Sequence, residues 1–173
     1  MRKVHRMAES LEVGKIGEET VANYFKNKNY VRRVHDMRGN GQFRKMDVDF
    51  ALELSDGSIH WLEVKTDQYS HTGNIFVEDV SCIEMGTIGC IMKTKARFLG
   101  YFFVDTHELY LIHVERFREW YEKHKSSFRR CEITNARVVE GQVYHSIGHL
   151  VPRKLLEHQP FVRKHQIERK KCV

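Results

Sequence analysis

Glu18, Asp49, Glu63 and Lys65 bring three carboxylates and one ammonium into a chain of 173 residues. Glu63-Val64-Lys65 reads as strand, where side chains alternate, so Glu63 and Lys65 share one face. Asp47–Leu54 and Ile59–Lys65 read as two strands joined by Ser55-Asp-Gly-Ser58, a hairpin signal. Folding that hairpin sets Asp49 opposite residues 63–64 and Asp47 opposite residues 65–66. The acids and the lysine then meet at one end of a sheet. Carboxylates gathered there repel one another unless a cation sits among them, and hard oxygen donors suit Mg2+ or Mn2+ better than Zn2+. Such an ion would hold a phosphodiester, offset its developing charge and lower the pKa of an attacking water. Lys65 would position that water or stabilise the crowded phosphorus. Nearby carboxylates raise its pKa and weaken it as a base.

Residues 9–28 read as a helix that carries the first acid. Leu11, Gly14, Glu18, Val21/Ala22 and Phe25 recur at 3–4 spacing on one face, while Lys15, Glu19, Asn23 and Lys26 take the other. Glu18 on an apolar stripe is costly unless it is paired or bound to a cation. Tyr30–Val34 follows as a short strand, then Arg38-Gly-Asn-Gly41 as a loop. Beyond the hairpin, Ser70–Asn74 is a loop and Ile75–Val80 a strand. Phe98–Val104 and Leu109–Val114 are strands about a turn at 105–108. Val114–Lys125 is an amphipathic helix, 137–151 a hairpin around Glu140-Gly141, and Pro152 opens a short helix before a basic tail. No repeat recurs.

Composition sets outer bounds. The chain has 29 Lys+Arg against 23 Asp+Glu, a net +6, with 41% hydrophobic and 11% aromatic residues. That is enough apolar mass for one folded domain and excludes a disordered class. No apolar run reaches membrane-spanning length, and no apolar segment follows the basic N-terminus as a secretory signal would. Cys82, Cys90, Cys131 and Cys172 form no metal-knuckle spacing, so a reducing, cytoplasmic setting is expected. The positive charge concentrates in 32–45 and 153–171, which leaves the remainder acidic. Basic flanks around an acidic centre suit a polyanion held against a cation site. Arg38, Arg44, Lys45, Gln68, Lys93 and Lys95 are the candidate nucleic-acid contacts. No small-molecule cofactor is called for.

Gly14-x-x-Gly17-Glu18-x-x-x-Ala22-x-x-Phe25, Tyr30-Val31, Asp47-Val-Asp49-Phe-Ala, Gly57 and Trp61-Leu-Glu63-Val-Lys65 together resemble the PD-(D/E)XK nuclease superfamily. Within it the pattern is similar to small Holliday junction resolvases and phage-borne endonucleases. The likeness spans roughly residues 10–80 and, more loosely, to about 125. It implies an α/β (α+β) fold with a restriction-endonuclease-like αβββαβ core and a mixed central sheet. Residues 1–125 would form that core, and 126–173 a C-terminal extension with a hairpin and a basic tail, either part of the same domain or an appendage. The resemblance implies metal ligation by Asp49 and Glu63, support from Glu18, and a catalytic Lys65. Val48 stands where the family has proline, and Asp47 is the alternative to Asp49 as metal ligand.

The expected function is therefore a Mg2+-dependent DNA endonuclease acting in recombination, replication or repair, on branched DNA if the resolvase likeness holds. Cutting a junction symmetrically needs two sites, so the resolvase likeness, where it holds, implies a homodimer. The alternative is a non-catalytic nucleic-acid-binding module on a nuclease scaffold, though a pure binder gains nothing from carboxylates clustered near phosphate.

Overall fold

The computed structural model describes residues 5–136 and 143–169. The chain opens with β1 (His5–Arg6) and α1 (Met7–Lys26), then β2 (Val31–Asp36), α2 (Gly41–Lys45), β3 (Phe50–Leu54) and β4 (Ile59–Asp67). Next come β5 (Asn74–Cys82), β6 (Thr87–Ile88), α3 (Cys90–Lys93), β7 (Phe98–Phe103), β8 (Glu108–His113) and α4 (Val114–His124). The chain continues through β9 (Arg129–Ala136), β10 (Val143–Pro152), α5 (Arg153–Glu157) and β11 (Val162–Gln166). The turn expected around Glu140-Gly141, and Lys170 and Lys171 of the basic stretch, lie outside the described residues.

Two sheets divide these strands. One runs β11-β8-β7-β4-β3-β2, with β4 parallel to β7 and every other neighbour antiparallel. The other runs β1-β9-β10-β5-β6. The molecule is thus α+β with a mixed sheet. The succession α1, β2, β3, β4, α3, β7 follows the expected αβββαβ order. In place of a long crossover helix, however, the path from β4 to β7 makes β5 and β6 in the second sheet and only two single helical turns, a 3-10 turn at Ser70–Thr72 and α3.

Strand alternation builds two cores. Leu99, Tyr101 and Phe103 of β7 face one way, with Ile75, Val77, Ile112, Val151, Phe117 and Tyr121. Phe102 faces the other, with Leu62, Val64, Phe50 and the α1 residues Val21, Ala22 and Phe25. The aromatic run from 98 to 110 is therefore core, as its strand pattern implies. The β3–β4 hairpin closes where expected: Gly57 supplies φ +83, and Asp56 Oδ1 accepts from the Ser58 N–H at 2.9 Å.

Several sequence expectations are corrected. Leu11 is 54% exposed, because α1 meets the sheet only from Gly17 onward. The loop expected at 38–41 is borne out as far as Asn40 but then enters α2, whose first turn is capped by Asn40 Oδ1 accepting from the Gln42 N–H at 2.9 Å. The strand expected from Asp47 starts at Phe50, since Asp47 turns left-handed at φ 49. The basic tail is not a free tail up to residue 166. Its β11 pairs with β8, while Arg153 and Lys164 both bind Glu108, at 2.6 and 2.5 Å. Among the described residues no helix is long and apolar enough to cross a membrane.

Candidate active site

Phe50 pairs with Leu62, so Asp49, one residue before β3, stands beside Glu63. The Asp49 N–H donates to Leu62 O at 3.0 Å, and the Val64 N–H donates to Asp49 Oδ2 at 2.8 Å. The aspartate side chain thus takes the place of a ladder carbonyl just before β3 begins, which holds its carboxylate at the sheet margin. Leu62 and Val64 bury against α1, so alternation turns Glu63 and Lys65 to the opposite face. There Cys90 Sγ donates to Glu63 Oε1 at 3.1 Å, while Glu63 Oε2 is buried with no hydrogen-bond partner. Lys65 Nζ reaches Glu78 Oε2 of β5 at 3.1 Å and stays about one-third exposed (34%).

These placements set the titrations. Burial first, and Glu18 among its other neighbours, push Asp49 up to about 6 against the pull of the Val64 N–H. Burial, then the charge of Asp49, push Glu63 up to about 8. Desolvation opposes the charge on Lys65, but Glu78, Cys90 and Glu63 outweigh it and its pKa rises. The ion pair with Glu78 thus favours the charged form of Lys65.

Glu18 reaches the same margin from α1. A Cβ on Gly17 would lie 2.0 Å from Thr66 Oγ1, so only glycine lets this helix turn sit on β4. Glu18 Oε2 pairs with Arg38 Nη1 at 2.7 Å, and Arg38 Nη2 pairs with Asp36 Oδ2 at 2.6 Å. The guanidinium also lies 5.0 Å over the Phe50 ring. Glu18, Asp49 and Glu63 thus follow one another as a run of acids, with Arg38 at one end and Lys65 at the other.

Asp47 sits differently. Its carboxylate pairs with Lys93 Nζ at 3.1 Å and its carbonyl accepts from Thr94 Oγ1, yet its charge still helps raise Glu63. It borders Glu63 from the α3 side, whereas Asp49 stands beside Glu63 in the sheet.

Arg38, expected as a nucleic-acid contact, is held by Asp36 and Glu18. Arg44 and Lys45 are exposed on α2, Lys93 and Lys95 on the α3 segment. The Lys95 N–H donates to Met46 O at 2.8 Å, which joins those two segments into one cationic flank beside Asp47. Gln68 is exposed past the end of the Glu63–Lys65 face, its amide 3.4 Å from the Tyr69 hydroxyl. Two further residues join the site: Cys90, which the sequence does not mark, and Glu78, which it offers as an outer acid beside the simpler reading of a solvated strand residue. Cys90 is 27 positions from its partner Glu63. The Glu78 side chain is only 17% exposed.

The donor set fits a hard divalent cation: an orphaned buried oxygen on Glu63, and two carboxyls whose repulsion a cation would relieve. Asp49 and Glu63 would hold it. Among the described residues no three His, Cys, Asp or Glu side chains are already grouped to coordinate a metal, so the two carboxylates would share it with water or substrate oxygens. No protein-family model, curated protein or solved structure matches this chain.

Proposed function

We propose that this protein is a metal-dependent DNA endonuclease. The observation that carries the reading is the juxtaposition of Asp49 and Glu63, with the unpartnered Glu63 Oε2, beside the cation of Lys65. Bound between Asp49 and Glu63, a Mg2+ or Mn2+ ion would supply Lewis-acid activation of water and phosphate. Lys65, held by Glu78, stabilises negative charge that builds on phosphate oxygens in the transition state. Glu18, balanced by Arg38, closes the acid run and accepts a hydrogen bond from water at the margin. Arg44, Lys45, Lys93 and Lys95 hold the flanking backbone. Recombination or repair intermediates, cut by a homodimer, are the substrates in keeping with the resolvase-like motif order.

The test uses plasmid, linear duplex and four-way-junction DNA with Mg2+, Mn2+ or EDTA. Cutting should require the metal. Glu63→Gln and Lys65→Ala should each lower it by about 100-fold or more while the variants still bind DNA. Salt-sensitive binding with no hydrolysis, unchanged by Glu63→Gln, would instead show a non-catalytic nucleic-acid-binding module on a nuclease scaffold.

A further inference from the structure

Asp49 and Glu63 each have one carboxylate oxygen tied to a fixed donor. The Val64 N–H donates to Asp49 Oδ2 at 2.8 Å, and Cys90 Sγ donates to Glu63 Oε1 at 3.1 Å. Glu63 Oε2 is buried and has no hydrogen-bond partner among the described residues. The donor to Asp49 is backbone and comes with β4 itself. The donor to Glu63 is a side chain, and packing of α3 sets its place. Gly89 precedes it, and a Cβ there would lie 1.9 Å from Glu78 O, so only glycine lets the chain pass this close to β5. The Gly89 N–H donates to Asp79 O at 3.0 Å, and the Thr94 N–H closes the helical turn on Cys90 O at 2.8 Å. From α4, Arg118 Nε donates to Ile91 O at 2.9 Å and Nη2 to Thr94 O at 2.6 Å. The thiol therefore meets Glu63 from a turn that is braced on both sides.

We infer that Cys90 is a positioning residue that limits Glu63 to one metal-binding oxygen, Oε2, and so sets the site for Mg2+ against Ca2+. The inference rests on the nuclease reading and deepens it, because it names what decides the ion. Mg2+ demands near-ideal octahedral geometry at about 2.0–2.1 Å and keeps several waters, so single oxygens from two carboxylates suit it. Ca2+ takes about 6–8 oxygens at about 2.3–2.6 Å and gains from a carboxylate that offers both of its own. Donation from the thiol draws charge from Oε1 and fixes the orientation of the carboxylate, as hydrogen bonds to metal ligands do. Without that donor Oε1 becomes a second free oxygen, and Glu63 can turn to chelate the larger ion. A thiol that served packing alone would leave the choice between the two cations untouched.

The test titrates Mg2+ and Ca2+ separately into metal-free, full-length protein at one fixed pH and reads the concentration of each that gives half the rise in Tm. Wild type is compared with Cys90→Ser, which keeps a donor, and with Cys90→Ala and Cys90→Val, which do not. Cys90→Val keeps the bulk of the thiol should Cys90→Ala fail to melt cooperatively. In the donorless variants the Ca2+ midpoint should fall about 10-fold or more relative to the Mg2+ midpoint, the size of effect expected when a group that holds a metal ligand is removed. Ca2+ should also inhibit their Mg2+-dependent cutting at correspondingly lower concentration. Cys90→Ser should keep the wild-type ratio. A ratio unchanged in the donorless variants overturns the inference and leaves the nuclease reading standing if Mg2+-dependent cutting persists. A Cys90→Ser ratio that moves with theirs assigns the effect to the size of sulfur and also overturns it. No rise in wild-type Tm with either cation overturns it as well, and if cutting in Mg2+ is absent too, the nuclease reading falls with it.

Discussion

Asp49 and Glu63 would titrate near 4 in an unfolded chain, and the fold raises them to about 6 and about 8. A carboxyl raised in this way favours the folded state while it is protonated. Its contribution is complete below the unfolded pKa and is lost as pH climbs through the folded one. Carboxylates with lowered pKa, such as Asp36 and Glu108, act oppositely but have finished titrating by about pH 5. Between about pH 5 and 8 the metal-free protein should therefore lose thermal stability, levelling off above pH 8 once Glu63 is ionised in both states. Scanning calorimetry in EDTA should show a falling Tm that Glu63→Gln flattens, and Mg2+ should raise Tm more at pH 8 than at pH 6. A wild-type slope equal to that of Glu63→Gln would show that the pair does not carry this repulsion. The sequence places these two acids side by side from turn length and strand period alone. It does not foretell that Cys90, 27 positions on, partners one oxygen of Glu63 and leaves the other buried without a partner.

The contact between α1 and β4 sets where Glu18 can stand. Gly17 is the point of closest approach, with no room for a methyl against Thr66. Gly17→Ala should destabilise by about 1–3 kcal/mol through overpacking, measured by urea unfolding, and Thr66→Ala in the same chain should recover part of it. Cleavage by Gly17→Ala should fall further than by Leu11→Ser, since Leu11 is already exposed. Helix and strand types were legible here: the 3–4 spacing ending in Val21, Ala22 and Phe25 marks a buried stripe, and alternation in β4 marks its two faces. Boundaries were less so. The glycines of 38–41 mark a loop, but nothing local marks the helical turn that follows, capped by Asn40 and with Phe43 docked on Trp61 at 5.5 Å between ring centroids. Likewise the left-handed backbone of Asp47 stops β3 early, a conformation aspartate tolerates but does not announce.

At the scale of the molecule, the two sheets share the aromatic core and the C-terminal third completes both. β10 pairs with β5 and β11 with β8. Arg153 joins these parts through Glu108 at 2.6 Å and Ser70 O at 2.6 Å, with its side chain 16% exposed. Arg153→Ala leaves Glu108 half-compensated and should cost roughly 2–4 kcal/mol, read from the midpoint of urea unfolding. Truncation after residue 125 should abolish cooperative melting by calorimetry, because it strips β5 of β10 and β8 of β11. A truncated chain that melts as one sharp transition would show instead that 1–125 stands alone. Charge counting along the chain cannot reveal this use of the C-terminal basic residues, since solvated and paired arginines look the same in a sequence.

The sequence by itself determined the α+β class, the hairpin that sets Asp49 beside Glu63, the shared face of Glu63 and Lys65, and the aromatic strands of the core. Each follows from local periods and turn residues, which act over a few positions. Only the tertiary structure decided which polar groups answer which: Arg38 to Glu18, Lys65 to Glu78, the Cys90 thiol to Glu63, and Arg153 to Glu108. It also decided that β5 and β6 leave the main sheet for the second one. Those outcomes come from burial and packing between segments far apart in the chain, where a carboxylate takes the partner that the folded surroundings leave within reach.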